Sequence, residues 1–145
     1  MSKINYFFEN TSVSKHFLPP KRWIITCLKK EGKKIGCLNF IFCSDTYLKS
    51  LNQKYLKKSY LTDVISFPYE GPGLFQKKEA AYVYGDIFIS IERVKENQKT
   101  YNTIFAKELK RVMAHGALHL IGFNDKTKKE RAIMAAKENI YLEAK

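Results

Sequence analysis

The sequence predicts a mixed α/β fold of the α+β kind, in which a single-layer sheet of about four strands packs with about five helices. Short apolar segments of strand length alternate with longer amphipathic segments over roughly the first two thirds of the chain. The remaining third carries helical patterns only. A chain of 145 residues with 45% hydrophobic side chains suits one globular domain, so we expect residues 1–145 to form a single domain.

The first predicted elements are a strand, a helix and a second strand. Residues 4–8 have the composition of a strand. The prolines at 19–20 favour the start of a helix, and Gly32 favours its end. Residues 37–43 are too apolar to face solvent on both sides and are predicted to form a buried strand. The apolar face of the helix comprises Trp23, Ile24, Cys27 and Leu28.

The middle of the chain is predicted to add a helix and two strands. Ser44 or Asp45 can cap the helix, because both side chains accept hydrogen bonds from free backbone amides. Strands are expected at 64–67 and 84–90, and the glycine- and proline-containing segment 70–80 between them is predicted to be a mobile loop. The apolar face of the helix comprises Leu48, Leu51, Tyr55 and Leu56.

Three helices are predicted to complete the fold. The first begins near Ser90 or Glu92 and breaks around residues 101–102. The second has a buried stripe of Phe105, Leu109, Val112, Gly116 and Leu120. Thr127 and Glu130 have the spacing of a capping box, which opens the last helix. The apolar positions of that helix are Ile133, Ile140 and Tyr141.

The charge of the chain favours a polyanionic partner. The formal net charge is +12, from 26 basic and 14 acidic residues. Most of the basic residues are lysine, which can also reflect the base composition of a genome. Their clustering argues for a function, since both clusters could flank one groove. The clusters comprise Lys49, Lys54, Lys57 and Lys58, and then Lys126, Lys128, Lys129 and Arg131.

Composition also bears on location. We find neither a signal peptide nor an apolar run long enough for a membrane helix, so we expect a soluble, cytoplasmic protein without a membrane partner.

The three cysteines, Cys27, Cys37 and Cys43, are odd in number and lie in predicted core elements. They are expected to be buried small residues and not a disulfide framework or zinc ligands.

The segment from His115 to Asp125 is the most informative part of the sequence. His115 and His119 are four residues apart in a helical pattern, which places both imidazoles on one face of the helix. Gly122 can end the helix, and Asp125 follows the turn. Two histidines and a carboxylate form a known set of catalytic zinc ligands that leaves one coordination position open for water.

The spacing by itself does not decide for a metal. A histidine pair four residues apart is more often a surface or core feature than a ligand pair. The carboxylate after the glycine favours the metal, and so do the small residues Gly116 and Ala117, which are expected to reduce crowding there. Zinc peptidase helices carry a glutamate as general base directly after the first histidine, whereas this chain has Gly116. A peptidase is therefore disfavoured.

The segment 115–125 resembles the metal signature of the YbeY family, bacterial single-strand endoribonucleases and rRNA maturation factors, which usually has the form HGxLHLxGYDH. Residues 51–55, 62–68 and 85–90 match further family motifs in the same order. The resemblance implies a small mixed α/β fold, one zinc ion held by three side chains, and RNA as substrate. It also implies a role in rRNA processing, including maturation of the 3′ end of 16S rRNA, in ribosome quality control, and contact with the small ribosomal subunit or its associated proteins.

The family signature usually ends in Asp-His, and here it ends in Asn124 and Asp125. Asp125 occupies the register of the third histidine, so we expect His115, His119 and Asp125 to be the metal ligands. A carboxylate oxygen is a harder ligand than an imidazole, which could weaken the preference for zinc over manganese or iron.

A second departure concerns phosphate binding. The family usually has an arginine at the position of Leu56. Lys57, Lys58 or Arg111 could substitute for it, although none offers the same guanidinium from the same place. We expect Lys57 and Lys58 to bind substrate and Arg111 and Glu108 to take part in catalysis. Glu108 is either a helix-surface acid or a residue that orients a ligand histidine.

Other matched residues have two interpretations each, one structural and one functional. Asp63 and Asp86 can cap turns and strand ends or contact substrate. Aromatic side chains such as Tyr55, Tyr60 and Phe67 could stack on bases, although core packing explains most of them. The functional alternatives are a metal-dependent endoribonuclease and a ribosome-associated RNA-binding factor whose metal is structural.

Overall fold

A computed structural model describes residues 2–56, 62–69 and 82–144 of the chain. It confirms the mixed α+β class. The four strands are β1 (Lys3–Glu9), β2 (Lys34–Cys43), β3 (Val64–Pro68) and β4 (Tyr82–Ser90). The described helices are α1 (Lys21–Lys29), α2 (Asp45–Leu56), α3 (Ile91–Thr100), α4 (Phe105–Leu120) and α5 (Lys128–Leu142), with a short 3-10 helix at Lys15–Phe17.

The strands form one sheet in the order β1-β2-β4-β3. The pairs β1–β2 and β2–β4 are parallel, whereas β3 runs antiparallel to β4. Pro68 lies at the end of the edge strand β3, where its missing amide hydrogen does not interrupt a ladder on two sides. The predicted loop at 70–80 lies outside the described residues.

The main hydrophobic core lies between one face of the sheet and the helices α1, α4 and α5. Phe40 and Phe42 of β2 and Ile87 and Ile89 of β4 alternate onto this face and are fully buried. The opposite face packs Cys43 and Ile65 against Leu48 of α2 in a smaller cluster. Buried residues contributed by the helices to the main core are Trp23, Ile24, Cys27, Leu28, Leu109, Met113, Leu118 and Tyr141.

Cys27 and Cys43 are buried as predicted, whereas Cys37 is only partly buried, and all three thiols are free. Within the described ranges, no helix combines the length and apolar character needed to cross a membrane.

Two predicted apolar faces are partly wrong. In α2, Tyr55 and Leu56 are 57% and 43% exposed, and the buried side chains are Leu48 and Asn52. In α5, Ile133 and Ile140 are exposed. The buried positions of α5 are Met134, Glu138 and Tyr141. Their spacing of four and then three residues follows one helical stripe, so the helix is oriented by this stripe and not by its isoleucines.

Helix α4 lies directly on the sheet because Gly116 has no side chain. A Cβ atom there would come within 2.6 Å of Ile87 Cγ2 and 2.9 Å of Val64 Cγ2. The hydroxyl of Ser66 on β3 donates a hydrogen bond to the Gly116 carbonyl at 2.8 Å. Gly116 therefore faces the sheet, which corrects the expectation that it reduces crowding at the metal position.

Candidate metal centre

The end of α4 and the turn after it bring the three predicted ligands together. Gly122 has φ 108°, and the amides of Gly122 and Phe123 donate to the carbonyls of His119 and Leu118. This pair of bonds is a Schellman motif, which ends the helix and reverses the chain. Thr127 and Glu130 then form the predicted capping box at the start of α5. Asp125 lies in the short connection between these two signals.

Three ligand-type atoms converge at this place. The Nε2 atoms of His115 and His119 lie 2.9 Å apart, and Asp125 Oδ2 lies 3.2 Å from each of them. Ligand atoms around a tetrahedral zinc ion, with bonds of about 2.0–2.2 Å, are about 3.3–3.6 Å apart. The observed triangle is only slightly smaller. Within the described part of the chain, His115, His119 and Asp125 form the one group of this kind that could hold a metal ion.

The hydrogen bonding of His115 also fits a metal. Its Nδ1 lies 2.6 Å from Oε2 of Glu138, a buried residue of α5. A neutral His115 with its proton at Nδ1, toward this carboxylate, has a free lone pair at Nε2 that can bind a metal. Lone pairs on Nε2 of His115 and Oδ2 of Asp125, 3.2 Å apart, repel each other unless a proton or a metal ion lies between them.

The electrostatics of the site favour a cation. Burial lowers the pKa of His115, but the hydrogen bond and charge of Glu138, together with Asp63 and Asp125, outweigh burial and raise the pKa above its usual value. The described residues that line the adjacent cavity include four carboxylates and only two guanidinium groups. Carboxylates therefore outnumber cationic side chains around this cavity, which favours a bound cation.

Glu138 is a residue of the candidate site that the sequence analysis did not identify. The contact with a ligand histidine that was suggested for Glu108 is made by Glu138 instead. Glu108 is buried, and its carboxylate forms an ion pair with the guanidinium of Arg111 one helical turn later. A signal for Glu138 was available, because it lies between Met134 and Tyr141 on the apolar stripe of α5, where a carboxylate needs a partner.

Glu108 and Arg111 form a second layer beside the histidines. Burial raises the pKa of Glu108, although the charge and hydrogen bond of Arg111 oppose this rise. The guanidinium of Arg111 also lies 3.9 Å from a Glu138 oxygen and 4.8 Å from the centre of the Tyr101 ring. Arg111 is thus held from three sides, with 29% of its side chain exposed.

Two cavities are lined by members of the candidate metal-binding group. The first, of about 430 Å³, is lined by His115, Asp125, Arg111 and Glu138, with Asp63 at its wall. Asp63 accepts a hydrogen bond from the Asn97 amide at 3.1 Å. Asp86 does not line either cavity; it accepts a hydrogen bond from Asn39, its neighbour on β2, at 2.9 Å.

The second cavity, of about 390 Å³, is lined by His119, Leu120, Asn52 and Ser66. Leu56 also lines this cavity, so the residue that replaces the usual arginine faces the predicted substrate path.

Part of the predicted basic surface lies next to the site. Lys126, Lys128 and Lys129 are exposed directly after Asp125. The guanidinium of Arg131 donates to the carbonyl oxygens of Asp125 at 3.4 Å and Lys126 at 2.9 Å, which ties this segment to α5. The other basic cluster includes Lys49 and Lys54 on α2, both exposed.

Lys57, Lys58 and Tyr60 lie outside the described residues. Tyr55 is exposed, and its ring makes an edge contact with Phe67 at a centroid distance of 5.9 Å. Tyr55 is therefore not a core residue, and its stacking role stays a prediction.

Comparison with known proteins identifies close relatives. A family model described as Endoribonuclease YbeY matches residues 9–145. A Karelsulcia muelleri protein named Endoribonuclease YbeY is 45% identical over 139 residues, which cover 96% of this chain and 93% of the relative. A protein of the same name from Amoebophilus asiaticus is 41% identical over 145 residues, covering 98% and 94% of the two chains.

A solved structure shares the fold. The solution structure of a Thermotoga maritima protein superposes with a TM-score of 0.62 at 31% sequence identity, and the match covers 95% of this chain and 87% of the other.

Proposed function

The chain belongs to the endoribonuclease YbeY family, and from this premise we propose that it is a zinc-dependent endoribonuclease that cleaves single-stranded RNA. His115, His119 and Asp125 would hold one zinc ion per chain. The observation that carries the proposal is the convergence of their three ligand atoms within 3.2 Å of one another, at residues that line two cavities. Relatives named as endoribonucleases support RNA as the substrate.

The residues around the site have separate proposed roles. When bound, zinc supplies Lewis-acid chemistry that makes water a better nucleophile and offsets negative charge on the reacting phosphate. Glu138 holds the proton of His115 at Nδ1 and fixes the direction of its Nε2 lone pair. Arg111 presents a guanidinium to the first cavity and is the proposed catalytic contact to phosphate, while Glu108 positions Arg111 through their ion pair.

The basic residues would bind the RNA chain. Phosphate contacts from Lys126, Lys128 and Lys129 would position the strand beside Asp125, with Lys57 and Lys58 as further substrate-binding residues. Family membership and the net charge of +12 support rRNA as the substrate class. We include in the proposal maturation of the 3′ end of 16S rRNA, ribosome quality control and contact with the small ribosomal subunit or its associated proteins, in the cytoplasm.

One observation favours a different function. Leu56 lines the second cavity at the position where the family usually has arginine. If that arginine is needed for cleavage, the protein would be a ribosome-associated RNA-binding factor whose metal is structural.

Cleavage assays with a chelator separate the two functions. Purified protein is incubated with a labelled single-stranded RNA, with and without chelator, and after zinc is added back. We expect cleavage to fall by about three orders of magnitude with chelator and to return with zinc, because metal catalysis supplies several kcal/mol. His119→Ala should stay inactive in every condition. RNA binding without metal-dependent cleavage would support the RNA-binding factor instead.

The salt dependence of RNA affinity tests the basic surface. Replacing Lys128 and Lys129 together by alanine removes two exposed charges beside the site. The slope of log affinity against log salt should become shallower by about one to two units, because fewer counterions are released. The matched control replaces Lys29 and Lys30, an exposed pair at the end of α1. Equal slopes for the two double variants would contradict the proposed path.

A further inference from the structure

Tyr101 is an aromatic residue in the wall of the first cavity that neither the metal centre nor the basic surface explains. It caps the carboxyl end of α3, and Asn102 after it has φ 51°, so the chain turns sharply there. The amide of Tyr101 donates to the Asn97 carbonyl at 2.9 Å. Its backbone is therefore fixed, and 60% of the residue is exposed.

One side of the Tyr101 ring is already occupied. The guanidinium carbon of Arg111 lies 4.8 Å from the ring centre, within the range of a cation–π contact. Arg111 is itself anchored by the buried Glu108. An arginine held in this way keeps the ring in one orientation. A ring that is already ordered loses little conformational entropy when a second flat group stacks on it.

The chemistry of the surroundings defines what would stack there. Among the described residues that line this cavity, Tyr101 is the one with a phenyl-type ring, and most of its neighbours are charged or polar. A nucleobase suits such a place. Its flat face can stack on the ring while its polar edges and the attached phosphate contact the charged side chains of the cavity. The cavity also contains His115 and Asp125, so a base at Tyr101 would lie close to the metal centre.

We propose that Tyr101 is a stacking platform for one nucleobase of the RNA, next to the phosphate that is cleaved. Stacking on the ring positions this nucleotide, and Arg111 beneath the ring provides the adjacent positive charge. Tyr101 is a substrate-binding residue that sets which phosphate reaches the metal centre. This inference rests on the proposed function, because it takes RNA as the ligand of the cavity.

Fluorescence of 2-aminopurine tests the stacking directly. The base analogue is placed at successive positions of a single-stranded RNA, and each RNA is bound to a His119→Ala protein, which binds without cleaving. Stacking on an aromatic ring quenches the fluorescence. We expect additional quenching at one position, retained when Tyr101→Phe is added and lost when Tyr101→Ala is added. Phe7→Ala is the matched control, because Phe7 is an exposed aromatic residue on β1 and lines no part of this cavity.

An abasic RNA distinguishes stacking from a purely structural role of Tyr101. Removing the base at the quenched position should weaken binding to the Tyr101 protein on the order of tenfold and have little effect on the Tyr101→Ala protein. Equal losses for both proteins would overturn the proposal, and so would quenching that survives Tyr101→Ala.

The two proposals can fail separately. Quenching that depends on Tyr101, in a protein whose wild type shows no metal-dependent cleavage, would sustain stacking of a base on Tyr101 and refute the endoribonuclease. Metal-dependent cleavage without such quenching would sustain the endoribonuclease and refute stacking on Tyr101.

Discussion

Helix α5 contributes to two polar clusters that have similar contacts but differ in charge balance and in access to a cavity. At one, Glu138 contacts His115 and lies near Arg111, beside an open cavity. At the other, Lys137 binds both carboxylate oxygens of Glu31 at 2.9 and 3.1 Å, and the Tyr141 hydroxyl donates to the same carboxylate. Both clusters join α5 to another part of the fold through charged, partly buried groups.

The difference lies in charge balance and access. In the Glu31 cluster each charge has its counterpart, and the Trp23 indole donates to the Tyr141 carbonyl at 2.9 Å, which closes the contact. In the Glu138 cluster, the described cavity wall has more carboxylates than cations, and two imidazole nitrogens and an oxygen point at a common place. A balanced cluster stabilises the fold, whereas an unbalanced cluster beside a cavity favours a cation. Polar contacts by themselves therefore do not identify a functional site.

The largest expected effect in this comparison comes from Glu138→Gln, which keeps the shape of the side chain and removes its charge. We expect metal affinity to fall by about 10- to 100-fold, because the His115 proton and ring orientation lose their anionic partner. Competition with a calibrated zinc chelator measures the affinity. Lys137 is the neighbouring residue and belongs to the other cluster. An equal loss of metal affinity in Lys137→Gln would contradict the distinction between the two clusters.

A smaller effect is expected from Glu31→Gln, which should lower the stability of the fold and leave the metal affinity unchanged. The free energy of unfolding should fall by about 1–2 kcal/mol near pH 7, since a charged hydrogen-bond acceptor is lost. Urea denaturation of the chelator-treated protein measures it, and zinc affinity should be unchanged.

The pH dependence of this loss follows from the pKa of Glu31. Burial raises that pKa, but hydrogen bonds from Tyr141 and Lys137 and the Lys137 charge outweigh burial and hold it below its usual value. The carboxylate therefore stabilises the fold above its unfolded pKa of about 4.3, and this contribution disappears as the pH falls through the folded value. The difference between wild type and Glu31→Gln should shrink below about pH 4. A constant difference across this range would contradict the assignment.

The two clusters also differ in how far the sequence predicts them. The histidine pair, the glycine that ends α4, Asp125 and the capping box are local signals, and each has the predicted position in the structure. Strand positions were predicted for the same reason, since apolar runs between turn residues are local. Ends of strands were less accurate, and β2 begins at Lys34, three residues before the predicted start.

Contacts between distant elements were not predictable from such signals. Glu138 is 23 residues from His115, and Glu31 is 106 residues from Lys137. Ile133 and Ile140 suggested a face of α5 that the structure exposes, whereas Tyr141, the third predicted position, is buried. The helical period places Met134 and Glu138 on the side of Tyr141, but apolar content alone did not select this side because one of the two is a glutamate.

We propose that His115, His119 and Asp125 bind a metal ion together, and the metal content of purified variants tests this binding most directly. Elemental analysis after dialysis should find about one zinc ion per chain in the wild-type protein and in Asn124→Ala. Little metal should remain in His119→Ala and Asp125→Ala, whereas Asp125→His should retain it, because an imidazole also binds zinc. Equal metal in the wild type, His119→Ala and Asp125→Ala would contradict the account, and so would loss of metal in Asn124→Ala alone.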